Sequence, residues 1–485
     1  MTDRRSNVIV LIFDTLRADA LSCYGGTAST PNFDRAADMG TLFERAFSAG
    51  PGTPISHAAL YTGQYPAENG VTGAYISLPD ESPVIAGHFR EHGYETFGIT
   101  GPSKMGSDFD YDRGFDELFE PYYDIGQRKS LDYLKRVITN PLLRNNLMRT
   151  IRRGDDSYTE LKFDLLQNRI NSFTQPFFVL SNFLTVHSPY NPPRPYKEQA
   201  VEGYKRPRIP LEEILFNNIG TLDRDDIRLD RIMKAQTATG IGKYIADSDW
   251  LTDAELTVLK AWYRAAVEYL DKRLGHFLHY YKRELAEDTI LVLTADHGEE
   301  LGENGLLGHS HRLYDATLHV PLITIGPDID AGIRRDDLVS LIDVFPTLCL
   351  QTGLPTPDTV SGVPMFTEEH RTAVCAEHGV RPNTYQSDPH VSRLSSERLQ
   401  EFLAGRKCVR TDEYKLVVTS DGKSILYELP EERQVENPPP EVVMELETEL
   451  SEQLEPEFGN WPPAKSWSDV SASVEDDLRA LGYIE

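Results

Sequence analysis

Cysteine and lysine are both scarce in this chain, and long apolar runs are absent. Only four cysteines occur, Cys23, Cys349, Cys375 and Cys408, and no two form a C-x-x-C pair. That spacing supplies neither a disulfide framework nor a cysteine zinc site, and it predicts reduced, buried thiols. No run of eighteen apolar residues exists, so no membrane-spanning helix is expected. The opening MTDRRSNVIVLIFDTLRAD sets two arginines ahead of an apolar run, but Val8 to Phe13 is too short for a secretion signal and Asp14 ends it. Basic residues number 49 against 76 acidic ones, a net charge of -27, and 34 of the 49 are arginine against 15 lysine. Such a field repels phosphate backbones and anionic lipid, which argues against nucleic acid or a membrane surface as the main partner. An acidic, lysine-poor surface holds water in high salt, and we expect a cytoplasmic, salt-adapted protein.

What is present is enough apolar residue, 40% of 485, to bury a large core. Four short runs read as strands covered on both faces: Val8 to Phe13, Phe177 to Phe183, Thr289 to Thr294 and Val320 to Ile325. Amphipathic helices fall between them at Pro31 to Met39, Ser56 to Thr62, Pro83 to His92 and Asp253 to Leu285. The alternation predicts an α/β fold with a doubly wound, mostly parallel sheet flanked by helices. Residues about 118–175 and 197–250 are polar, helix-leaning insertions expected to wall a cleft. The catalytic domain is expected to span 1–365, with the Pro/Gly stretch at 353–363 as linker. A smaller C-terminal α+β subdomain follows over 366–485. In it, Lys407 to Val418 and Lys423 to Glu428 read as a hairpin around Ser420-Asp421-Gly422, and Glu441 to Leu454 as an acidic helix.

The chemistry-bearing residues cluster at strand ends. Asp14 follows the first strand and Asp296-His297 follow the third, where open α/β sheets bind ligands. Two carboxylates and an imidazole meeting there suit one divalent cation, Ca, Mn or Zn. In GPGTPISHAALYTGQYPAENG, Thr53 is placed to cap a helix with Pro54 at its first position, so its hydroxyl stands where free backbone N–H groups favour an anion. His57, four residues on, shares that helical face. His187 closely follows the second strand, and His309 and His311 lie in the Gly-rich loop GENGLLGHSHRLY.

Several ordered segments resemble the sulfatase family of the alkaline phosphatase superfamily. They are DTLRAD…CYGG…TPNFDRAADMGTLFERAFS, TPISHAALYTGQYPAENGV, TADHGEELGENGLLGHSHRLYDATLHVPLI, SLIDVFPTLCLQTGLP and, near the end, VRTDEYKLV…LYEL. The resemblance runs over nearly the whole chain apart from the two insertions. It implies that Asp14, Asp296 and His297 hold the metal with Thr53 beside them. It implies Thr53 as nucleophile, His187 at the leaving group, and His309 and His311 at the transferred anion. Lys104, in GPSKMG, matches a substrate lysine only weakly.

Two departures bear on the ester cleaved. Sulfatases of this family oxidise a Cys or Ser to formylglycine, and threonine, whose β-carbon carries a methyl group, cannot become that aldehyde. His57 stands where an arginine usually follows. The T-x-x-x-H pattern is similar instead to phosphodiesterases and phosphotransferases of the superfamily. These normally hold two metals, and TVHSPYNPP lacks the Asp and His pair of a second site. Thr15 also replaces a second aspartate. The expected activity is hydrolysis of phosphate, phosphonate or sulfate esters on a small or glycan-like anionic substrate. The alternatives are transfer of the group to an acceptor hydroxyl, or a sulfatase-fold binding protein with an inactive site.

Overall fold

The computed structural model describes residues 5–73, 76–101, 105–121, 139–202, 204–205, 221–222, 227–309, 312–368, 370–380, 394, 396–454 and 458. Its centre is an eight-stranded sheet: β1 (Asn7–Phe13), β2 (Thr41–Phe47), β3 (Glu95–Ile99), β4 (Glu117–Phe119), β5 (Phe177–Phe183), β6 (Thr289–Thr294), β7 (His319–Ile325) and β8 (Ile333–Ser340). The spatial order is β8-β2-β7-β6-β1-β5-β3-β4. The four apolar runs are all strands, and three of them, β6, β1 and β5, lie side by side at the middle, parallel and buried. Continuous Val, Ile, Leu and Phe is what a strand covered on both faces requires.

The fourth run, β7, is antiparallel to both β6 and β2, so the sheet is mixed, with one reversed strand. Four strands lacked a clear apolar signature. Glu44 and Arg45 interrupt β2, β3 and β4 are short, and β8 reads IRRDDLVS with its charged half largely exposed. A charged edge discourages pairing with another chain.

Helices α1 (Pro31–Met39), α2 (Thr53–Thr62), α3 (Ile85–Glu91), α4 (Pro141–Arg153), α5 (Thr159–Ile170), α6 (Asp253–Glu284) and α7 (Val344–Thr352) flank the sheet. The longest, α6, starts on a capping box in which Thr252 Oγ1 accepts from Glu255 N at 3.2 Å and Glu255 Oε2 accepts from Thr252 N at 2.9 Å. The first insertion supplies α4 and α5. The second supplies two short helices, Leu229–Ala235 and Ala238–Ala246, and much of it lies outside the described residues.

A separate antiparallel sheet follows, in the order β9 (Val374–His378), β10 (Arg406–Arg410), β11 (Tyr414–Thr419), β12 (Ser424–Glu428) and β13 (Arg433–Gln434), covered by α8 (Pro440–Gln453). The hairpin turn falls at Ser420-Asp421-Gly422 as expected, with Gly422 at φ 84°. Lys407 to Val418 is two strands, because Thr411 to Glu413 turn the chain back: Thr411 N donates to Tyr414 O at 2.9 Å. All four cysteines are free thiols, three of them buried. Among the described residues no helix is long and apolar enough to cross a membrane.

Candidate active site

Asp14 leaves β1 and Asp296-His297 leave the neighbouring β6, so adjacent strand ends deliver all three to one point. One ligand atom of each lies within 4.8 Å of the others, and the three are 0–1% exposed. The turn after Asp14 is strained: Thr15 takes φ 62°, costly for a β-branched residue. Three bonds hold it there. Thr15 N donates to Asp296 Oδ1 at 3.2 Å, Thr15 Oγ1 to Val186 O at 3.0 Å, and Tyr263 Oη to Thr15 O at 2.9 Å. Gly298 admits no side chain, since a Cβ would sit 2.1 Å from Ala316 O; this close approach sets the turn carrying His297.

The donor atoms face one another without enough protons between them. Among the described residues, Asp14 Oδ1 accepts no hydrogen bond, and Asp296 Oδ2 meets ring nitrogens only at 3.3 Å (His57 Nδ1) and 3.4 Å (His297 Nε2). His297 Nδ1–H donates to Gly298 O at 2.8 Å, which leaves the Nε2 lone pair turned toward Asp296 and, at 4.0 Å, Asp14 Oδ1. Lone pairs so arranged in a dry site repel unless a cation sits among them, and two carboxylates with one imidazole suit a divalent metal. Burial, then the Asp296 charge, pushes the Asp14 carboxyl well above the usual carboxylate range. Burial works against the charge of Asp296 too, but the His297 and His57 rings beside it outweigh that and hold the carboxyl low. Burial also lowers His297, opposed by Asp296.

Thr53 opens α2, but Gly52 is the residue in the cap position and the Thr53 hydroxyl makes no cap bond. It stands at the first helical position, with Oγ1 3.2 Å from His297 Nε2. The expected cap is therefore corrected: the hydroxyl faces His297, in the Asp14–Asp296–His297 cluster, instead of the helix backbone. His57 is on the same face, as the spacing implied, yet its ring is engaged by protein. Nδ1–H donates to Thr53 O at 3.0 Å, and Nε2 accepts from Asn182 Nδ2 at 2.7 Å.

Two of the three loop histidines converge on this point. The His309 ring lies 4.5 Å from that of His297 and 5.3 Å from that of His187, centroid to centroid. Glu299 Oε1 accepts from His309 Nδ1 at 2.9 Å. Lys104 and His311 lie outside the described residues.

Three neighbours escaped the sequence reading. Asn182 is the one amide in the apolar FFVLSNF strand, a signal available in principle. Glu299 sits inside the DHGEE segment, where burial pushes its carboxyl up to about 7 against the opposing charges of His187 and His297. Lys162 comes from α5 in the first insertion; fully buried, it donates from Nζ to Asn182 O at 2.7 Å. Burial draws its ammonium down to about 7, opposed by Asp14 and Asp156.

The chain is 24% identical over 444 residues to arylsulfatase K of Homo sapiens, covering 87% of this chain and 76% of that protein. The phosphonate monoester hydrolase of Agrobacterium radiobacter superposes with a TM-score of 0.65 at 22% identity, covering 88% of this chain and 90% of that one. BT4656, solved in complex with its substrate D-glucosamine-2-N,6-O-disulfate, superposes with the same score of 0.65 at 18% identity, covering 93% and 97%. The sulfatase family model matches residues 6–354, which contain both central strand ends, α2 and the loop of His309. The chain belongs to the sulfatase family of ester hydrolases.

Proposed function

We propose that this protein hydrolyses small anionic esters through Thr53, phosphodiesters and phosphonate monoesters in preference to sulfate esters. The observation that carries the reading is the Thr53 hydroxyl at a helix N-terminus, 3.2 Å from His297 Nε2, in a cluster whose two carboxylates each keep an oxygen that accepts no hydrogen bond among the described residues. A divalent cation held by Asp14, Asp296 and His297 would supply positive charge for the ester and the hydroxyl. The free N–H groups of α2 favour the same anion. Thr53 Oγ1 bonds to phosphorus and gives its proton up to solvent, while the bond from phosphorus to the leaving oxygen breaks and that oxygen takes a proton from His187. Water then attacks the phosphothreonine and returns one proton to His187, and the Thr53 oxygen leaves phosphorus and regains a proton from solvent. His309 lies beside His187 and faces the transferred group.

The preference follows from the β-methyl of threonine: its oxidation would give a ketone, so the aldehyde route to sulfate release is closed. The phosphonate substrate in the name of one structural neighbour and the sulfated sugar bound by another support a substrate of this charge and size. Turnover of bis(p-nitrophenyl) phosphate, p-nitrophenyl phenylphosphonate and p-nitrophenyl sulfate tests the reading. The first two should exceed the third, and Thr53→Ala should lose about a thousandfold or more while still binding cation. Turnover of the sulfate ester alone, or an active Thr53→Ala, overturns it.

A further inference from the structure

Asn182 is the next-to-last residue of β5, paired with Ile12 of β1 and so level with the strand end that carries Asp14. It is 1% exposed, as is His57. Its Nδ2 lies 2.7 Å from His57 Nε2 and 3.4 Å from Asp14 Oδ2, while its Oδ1 has no hydrogen-bond partner among the described residues. The amide can stand only one way round. Reversed, it would turn a lone pair on the carboxylate of Asp14.

With Nδ2 as donor, His57 Nε2 must accept, and the ring proton is confined to Nδ1. Nδ1–H then donates to the Thr53 carbonyl at 3.0 Å, with Asp296 Oδ2 beside it in ionic contact at 3.3 Å. The other tautomer would face a lone pair to both. Lys162 Nζ donates to the main-chain carbonyl of Asn182 at 2.7 Å.

We propose that Asn182 is a positioning residue: its amide selects one His57 tautomer, and that ring fastens the first residue of the nucleophile helix to Asp296. The proposal rests on the reading of Thr53 as nucleophile. Through this brace, a residue on the central sheet sets the orientation of the Thr53 hydroxyl and of a metal-ligand carboxylate without touching the substrate. Partners of this kind, one bond removed from the reacting groups, are worth about 10–100-fold in activity or metal affinity.

Two measurements test it on the full chain. Nitrogen-15 NMR of histidine-labelled protein should show the His57 ring as the pure Nδ1–H tautomer, and Asn182→Ala should turn it into a mixture. In steady-state assays, Asn182→Ala should lower kcat about 10–100-fold with KM nearly unchanged, and His57→Ala should do the same. The double variant should be no worse than His57→Ala alone, because one residue acts through the other. Asn182→Asp, which keeps the shape and loses the donor, should show the same kcat loss and takes the place of Asn182→Ala if the latter does not fold. Additive losses, a wild-type kcat, or an unchanged tautomer in the Asn182 variants overturns the proposal. An active Thr53→Ala would overturn the nucleophile reading instead, leaving the tautomer and the Asn182–His57 coupling in place.

Discussion

Replacing Asp14 by asparagine should stabilise the metal-free protein and abolish its response to divalent cations. The ligand atoms of Asp14 and Asp296 lie no more than 4.8 Å apart. Two unit charges at about 4.8 Å in an effective dielectric of about 20 repel by about 3.5 kcal/mol. The metal-free wild type relieves this by protonating Asp14, whose carboxyl is raised by burial and by Asp296. A carboxyl raised in the folded state binds its proton more tightly there than in the unfolded chain. Its contribution is fully present below about pH 4 and disappears as pH rises toward neutrality.

At pH 8, then, the metal-free wild type carries most of the repulsion and Asp14→Asn carries none. Unfolding entropy of about 2.1 cal/mol/K per residue, over 485 residues, is about 1 kcal/mol per degree. The variant should therefore melt about 3 °C above wild type in EDTA at pH 8, with the gap closing toward pH 5. Added cation at about 100 times its Kd contributes about 2.7 kcal/mol, or nearly 3 °C, to wild type and nothing to the variant. Scanning calorimetry with and without Mn2+ or Ca2+ reads both effects. An Asp14→Asn protein that melts below metal-free wild type at pH 8, or that still responds to cation, refutes the argument.

Lys415→Met should cost about 3–5 kcal/mol, because removing the buried ammonium, 3.0 Å from Asp315 Oδ1 and paired with Glu432, leaves the Glu432 carboxylate without its cation and Asp315 with Arg410 alone. Melting should fall by about 3–5 °C. Asp315 closes the loop that carries His309, so activity should fall at temperatures well below unfolding. Lys162 is drawn down to about 7 by burial, so the unfolded chain binds its proton more tightly and wild-type stability should rise with pH between about 7 and 10.5. Denaturant titrations of Lys162→Met should lack that rise, and a slope equal to wild type would show that Lys162 is not the source.

The central strands were legible because parallel strands under helices must be apolar on both faces, and such runs survive without any alignment. The edge strand β8 was not, since Arg334, Arg335, Asp336 and Asp337 carry no apolar pattern, and the strand is held by pairing with β2 on either side of a bulge between Arg335 and Leu338. Antiparallel β7 shows the other limit: an apolar run says that a strand is buried, not which way it points. At the site, Asp14, Asp296, His297 and Thr53 stood out as candidates because they stand immediately after strands or at a helix start. Lys162 could not. Its helix lies in the insertion over about 118–175, read only as a polar wall of the cleft, and the tertiary structure alone brings its ammonium to the Asn182 main-chain carbonyl.

Thr15 marks the point where local preference and the site disagree. A β-branched residue at φ 62° costs about 1–3 kcal/mol, and glycine would avoid that. The threonine hydroxyl, however, ties the turn to Val186, on the segment leading to His187, and its amide ties it to Asp296. Glycine would keep the amide bond and lose the hydroxyl bond, worth about 1 kcal/mol, while adding about 0.5–1 kcal/mol of unfolded-state entropy. The strain that glycine relieves and the hydrogen bond that it forfeits nearly cancel in stability. What the threonine retains is geometry, a direct link between the turn that presents Asp14 and the loop that presents His187. Residue propensities disfavour this conformation, so the constraint becomes visible only when both strand ends are seen together.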